Sequence, residues 1–177
     1  MRTASRIVGI AMLAAMAAPA IASAQVSGAE ARLKQLNITL PADQAPAANF
    51  VNAVQAGKLL FLSGNTPGGQ WPLKGKVGKD LTIEQGYESA RQTGLIMLSK
   101  IRTALGSLDR VKRIVKVLGM VNSAEGFSDQ PKVVNGFSDL MVEVFGEAIG
   151  KHARSAVGMA GLPGNAPVEV EMIVEVE

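Results

Sequence analysis

The sequence predicts an α+β fold in which two helices pack on one face of a mixed β-sheet. Two patterns lead there: helix-period and strand-period segments alternate along the chain, and the last segment places apolar residues at every second position from Val168 to Val176 with Glu169, Glu171 and Glu175 between them. At 177 residues, with 47% hydrophobic and 19% charged side chains, the chain is long enough for one core and too short for two ordinary domains.

Arg2 and Arg6 precede an apolar stretch from Ile7 to Ala18, followed by Pro19 and Ala22-Ser23-Ala24. That order is expected of a cleavable secretory signal over residues 1–24, placing the mature protein in the periplasm or outside the cell. The stretch also invites a membrane-anchor reading, but its strongly apolar part is too short to span a bilayer, and no cysteine follows for lipidation, so no stable membrane anchor is expected. Residues 25–48, with breakers at Pro41 and Pro46 and a possible short helix from Glu30 to Leu36, read as an N-terminal arm. The folded domain is expected over 49–177.

Within it, Val51 to Gln55 and Leu59 to Ser63 flank Ala56-Gly57-Lys58 as a hairpin. Pro67-Gly68-Gly69 and the glycines from Gly75 to Gly78 punctuate a long loop. Thr82 and Gln85 have capping-box spacing, and Ile83, Tyr87, Ala90, Gly94, Leu98, Ile101 and Leu105 recur every three or four residues until Gly106. Arg113 to Val121 reads as an interior strand. Gly126 and Asp129-Gln130-Pro131 announce a second helix, with Val133, Phe137, Leu140, Val144 and Ala148 as its stripe. A short strand is expected at Ala156 to Ala160, and the alternation from Val168 to Val176 is a final strand with Glu169, Glu171 and Glu175 on its polar face.

Composition excludes several chemistries. The chain has no cysteine and one histidine, so disulfides, thiol nucleophiles and multi-histidine metal sites are ruled out. Of 18 basic against 15 acidic side chains, two lie in the leader, so the mature charge falls to about +1. Nucleic acid is not an expected partner, because the remaining cluster of Lys74, Lys76 and Lys79 is small and reads as solvated loop charge. Gly75-Lys76-Val77-Gly78-Lys79-Asp80 lacks the spacing of a phosphate loop. His152, without a serine or cysteine motif to serve, reads as an exposed loop residue.

More specific signals are ordered along the domain. They are Ala53-Val54 with Gly57, Leu60-Phe61 and Ser63-Gly64-Asn65; Val133-Val134-Asn135; Arg154-Ser155 opening a strand; Leu162-Pro163; and Val168-Glu169-Val170-Glu171. Together they resemble the RidA (YjgF, endoribonuclease L-PSP) family over about 49–177. The resemblance implies the chorismate-mutase-like fold, a homotrimer and a cofactor-free site between subunits. Arg154 would bind a substrate carboxylate, Glu169 would position or activate water, and Phe50, Ser63, Gly64, Asn135 and Ala156 would line the pocket. A guanidinium matches a carboxylate bidentately, and a partly buried carboxyl is suited to general acid–base work.

Three departures from the pattern mark a divergent branch. Phe50 stands where the family has tyrosine, Ala156 where it often has cysteine, and Asn65 where it has glutamine. The implied activity is hydrolysis of small 2-imino acids to 2-oxo acids and ammonia. The alternative is a non-catalytic trimeric module that binds small carboxylates or acts as a chaperone. A ribonuclease, suggested by the family's older naming, fits poorly with a charge near +1. Without the resemblance, Arg154 and Glu169 would read as an ion pair between neighbouring strands.

Overall fold

The computed structural model describes residues 28–177; the expected signal segment lies outside them. The elements are α1 (Ala29–Gln35), β1 (Ala53–Ala56), β2 (Leu59–Asn65), α2 (Ile83–Leu105), β3 (Val111–Asn122), α3 (Gln130–Phe145), α4 (Glu147–Gly150), β4 (Ala153–Met159) and β5 (Val168–Val176). The five strands form one mixed sheet in the order β1-β2-β5-β3-β4, with only the β3–β4 pair parallel. Among the described residues no helix is long and apolar enough to cross a membrane.

The core lies between this sheet and α2 and α3. Val168, Val170, Met172, Val174 and Val176 of β5 are all buried, as are Val117 and Val121 of β3, and they meet Met97, Leu98 and Ile101 of α2 and Phe137, Leu140 and Met141 of α3. Each such side chain withdrawn from water contributes about 1.5–3 kcal/mol before conformational entropy is charged against it. The two helices touch closely because Gly136 has no side chain: a β-carbon there would strike the carbonyl of Tyr87.

The Thr82–Gln85 capping box forms both of its hydrogen bonds, and α2 ends at Gly106. The second helix is shorter than its stripe predicts. Gly146, at φ 75° and ψ 168°, leaves the helical region, so α3 stops at Phe145 and Ala148 sits exposed on the separate turn α4. β4 begins three residues before the expected Ala156, which places Arg154 inside the sheet.

The arm is fastened to the domain. Leu33 is buried, Glu30 binds Arg102 through both carboxylate oxygens (3.0 and 2.6 Å), and the buried Lys100 ammonium donates to Asp43 (3.1 Å) and to the Gln44 carbonyl (3.2 Å). The loop lysines are not all solvated either. Lys76 donates to Asn122 Oδ1 (3.0 Å) and to the carbonyls of Ser123 (3.2 Å) and Ala160 (2.7 Å), tying the loop to the ends of β3 and β4.

Candidate functional site

The expected site residues fall into two groups. The first is built on the edge strand β4 and on α3. Arg154 is level with Val117 in the β3–β4 ladder, and Val117 is buried beneath the helices, so Arg154 projects on the helix side of the sheet. There its Nη1 donates to Asn135 Oδ1 (2.9 Å) and to Ser138 Oγ (2.9 Å). Asn135 and Ser138 are one helical turn apart and present their acceptors together. Both hydrogens of Nη1 are thereby used, which leaves Nη2 and Nε as the face of the guanidinium offered to a ligand among the described residues. Ala156, two residues on, shares this face of β4 and packs against the core.

The second group lies on β2 and β5. Glu169 alternates with the buried Val168 and Val170 and therefore projects from the helix-free face. Its carboxylate lies directly over Gly64: a β-carbon on that glycine would collide with Glu169 Oε1, and the carboxylate would have to swing aside to admit it. The β2–β5 register breaks between Leu62 and Asn65, and the irregularity lies where Gly64 passes under Glu169. Ser63 donates its hydroxyl to the Val51 carbonyl (2.7 Å) and its N–H to the Asn52 carbonyl (3.0 Å). This brings the segment beginning at Phe50 alongside, with the Phe50 ring itself exposed. Burial pushes the Glu169 carboxyl above its ordinary pKa, and the charge of Glu171 adds to the effect.

Arg154 and Glu169 do not form an ion pair. β3 separates their strands, they occupy different rungs of the sheet, and they project from opposite faces. The polar half-site at the sheet edge and the carboxyl half-site on the open face are thus separate within one chain.

His152 departs from the exposed-loop expectation. It is half-buried, edge-on to Phe137 with ring centroids 6.5 Å apart, and its Nδ1 lies 2.7 Å from the Gly150 carbonyl. A carbonyl only accepts, so Nδ1 carries the hydrogen. Burial lowers the imidazole pKa; the Gly150 hydrogen bond raises it and the Arg154 charge lowers it further, leaving a net decrease. The neutral ring therefore accepts at Nε2, from Ser138 Oγ–H 3.1 Å away. Ser138 and His152 thus join the Arg154 group without having been singled out by motif. The available signals were spacing alone: Asn135 and Ser138 at i and i+3 on a helix, and His152 two residues before Arg154, just ahead of β4.

The profile of the YjgF/chorismate-mutase-like endoribonuclease family matches residues 30–176, so the match includes nearly all of α1 and the arm as well as the sheet. The chain is 46% identical to protein TCP17 of Trypanosoma cruzi over 159 residues, covering 88% of this chain and 96% of that one. It is 29% identical over 140 residues to a 2-iminobutanoate/2-iminopropanoate deaminase of Dermatophagoides farinae, covering 79% of this chain and 95% of that enzyme. A solved structure from Shewanella oneidensis MR-1 superimposes with a TM-score of 0.80 at 31% identity, covering 85% of this chain and all of that one.

Proposed function

The chain belongs to the YjgF/chorismate-mutase-like family, also known as RidA, and on that premise we propose that it hydrolyses small 2-imino acids to 2-oxo acids and ammonia. The observation that carries this reading is Arg154. Its guanidinium is pinned through Nη1 by Asn135 and Ser138 and offers Nε and Nη2 as a fixed fork, the arrangement that takes a carboxylate bidentately.

With the carboxylate of a protonated imine on that fork, its imine carbon is presented to water held by Glu169. Water adds to the carbon as one of its protons passes to the Glu169 carboxylate. Glu169 then returns that proton to nitrogen, the C–N bond breaks, and the departing ammonia carries off the hydroxyl proton as ammonium. A carboxyl with a raised pKa is suited to both transfers. No step calls for a metal or an organic cofactor.

Because the two half-sites face opposite sides of one sheet, a pocket using both needs more than one copy. The homotrimer is the assembly we propose. The helix-free face supports it: Phe61, Val54, Val157 and Met159 are exposed there, 36–54% accessible, on a face that none of the described helices covers. Export to the periplasm remains part of the proposal and is read by N-terminal sequencing of fractionated cells, an intact Met1 on cytosolic protein overturning it.

The deciding experiment is hydrolysis of 2-iminopropanoate generated in the cuvette, with pyruvate binding followed by calorimetry. Arg154→Ala is expected to abolish both turnover and binding, and Arg154→Lys to restore little of either. Wild-type protein that binds pyruvate without turning over the imine would identify the non-catalytic carboxylate-binding module instead.

A further inference from the structure

We propose that Ser138 and His152 are positioning residues for Arg154, and that a proton on His152 tightens the hold of Arg154 on a carboxylate. The inference rests on the reading of Arg154 as a carboxylate site and adds to it a pair of residues and a pH dependence.

The geometry is a directed chain of hydrogen bonds. Gly150 O accepts from His152 Nδ1–H (2.7 Å), His152 Nε2 accepts from Ser138 Oγ–H (3.1 Å), and Ser138 Oγ accepts from Arg154 Nη1 (2.9 Å). Each link sets the next. The carbonyl selects the tautomer, the tautomer orients the serine hydroxyl, and the hydroxyl then turns a lone pair toward the guanidinium. Ser138, His152 and Arg154 line one open depression of about 540 Å³, together with Asp139, Val142 and Lys151.

The charged groups around the imidazole come from α3, α4, β4 and Lys151 between α4 and β4. Arg154 faces it from β4. Asp139 lies on α3, its carboxylate accepting the Tyr87 hydroxyl of α2 (3.0 Å), and Lys151 beside the ring pairs with Glu147 of α4 (2.7 Å). Both negative groups thus already have partners, and the cation sharing an oxygen with the imidazole is Arg154.

Protonation changes this arrangement in one direction. The imidazolium keeps its bond to Gly150 O and becomes a donor to Ser138 Oγ. That oxygen has two lone pairs and accepts from both cations, which frees its own hydrogen to point into the depression. The site then gains one positive charge and one O–H donor. Two cations on one oxygen repel, and a bound carboxylate relieves that repulsion, so proton and anion favour each other's binding. The coupling is reciprocal: whatever factor acid adds to anion affinity, the anion adds to the proton affinity of His152.

His152 is the sole histidine of the chain, so its C2–H proton resonance in the untagged protein needs no assignment. Pyruvate is the probe, since it stays ionised between about pH 5 and 8, where imidazoles titrate. Saturating pyruvate is expected to raise the imidazole pKa, and the pyruvate Kd to fall by the same factor, roughly threefold or more, as pH drops through that titration. Without ligand, Arg154→Ala is expected to raise the pKa by removing the neighbouring cation.

His152→Gln, whose side chain takes up no proton in this range, is expected to lose the pH dependence of pyruvate binding. Ser138→Ala is expected to weaken binding severalfold at every pH, with Ser138→Thr restoring it. An imidazole pKa unmoved by pyruvate, or a His152→Gln protein with the wild-type pH dependence, overturns the proposal. If those results came with loss of binding in Arg154→Ala, the carboxylate site would stand and this inference alone would fail. If Arg154→Ala bound pyruvate as wild type does, or wild type bound none, both would fall.

Discussion

Glu169 lies half-buried over Gly64, and that position makes it costly to ionise. A carboxyl whose folded pKa is raised adds stability below its unfolded pKa, and that stability is lost as pH rises through the folded value. Glu169→Gln, which cannot ionise, is therefore expected to melt higher than wild type at neutral pH, with the difference closing as pH is lowered through the raised pKa; thermal scans across that range check it. In the proposed reaction the same group acts as a base, so the rate is expected to rise with pH through its titration. Glu169→Gln should keep pyruvate affinity while turnover falls roughly a hundredfold or more. An ion-pair role would have predicted the opposite for stability, and the opposed faces of the sheet explain why no such pair forms.

At the scale of elements, α2 depends on a start signal visible in four residues. Thr82 Oγ1 accepts from the Gln85 N–H (3.2 Å) and Gln85 Oε1 from the Thr82 N–H (2.9 Å), at the mouth of a 23-residue helix whose buried face forms much of the core. Thr82→Ala is expected to cost about 1 kcal/mol, a fall of a few degrees in Tm, without altering pyruvate binding, since the cap is on neither half-site. Local signals of this kind located most elements, because a cap or an alternation is written in neighbouring residues. They were weaker at the start of β4. The first residues of that strand, Ala153-Arg154-Ser155, carry no strand-forming run of their own, and pairing with Lys116 to Leu118 of β3 draws them into the sheet. They were weaker, too, at the end of α3, where the apolar period runs on to Ala148 although the backbone turns away at Gly146.

For the whole molecule, a site divided between copies has a test that one chain cannot satisfy. Arg154→Ala and Glu169→Gln proteins, each inactive alone, are expected to regain activity when unfolded and refolded together. If each pocket takes its arginine from one copy and its glutamate from the next, random assembly at equal concentrations restores about a quarter of the pockets. No recovery in mixed oligomers verified by mass spectrometry would place both groups in one copy. Light scattering provides the companion measurement: a trimer at all concentrations is expected for wild type, and Phe61→Asp, which puts a charge on the exposed apolar face, should shift it toward monomers.

The sequence by itself determined the period of each segment, the caps and turns that bound them, the α+β class, and the residue types at Arg154, Glu169, Gly64 and Asn135. All of these are recorded in residues a few positions apart, where hydrophobic spacing and backbone preference act directly. Only the tertiary structure decided that β3 lies between β4 and β5, that Arg154 and Glu169 leave the sheet on opposite sides, and that His152 is drawn in to orient Ser138. Strand order and the meeting of a helix turn with a strand end depend on contacts between residues far apart in the chain, and those are settled by how the apolar faces pack together.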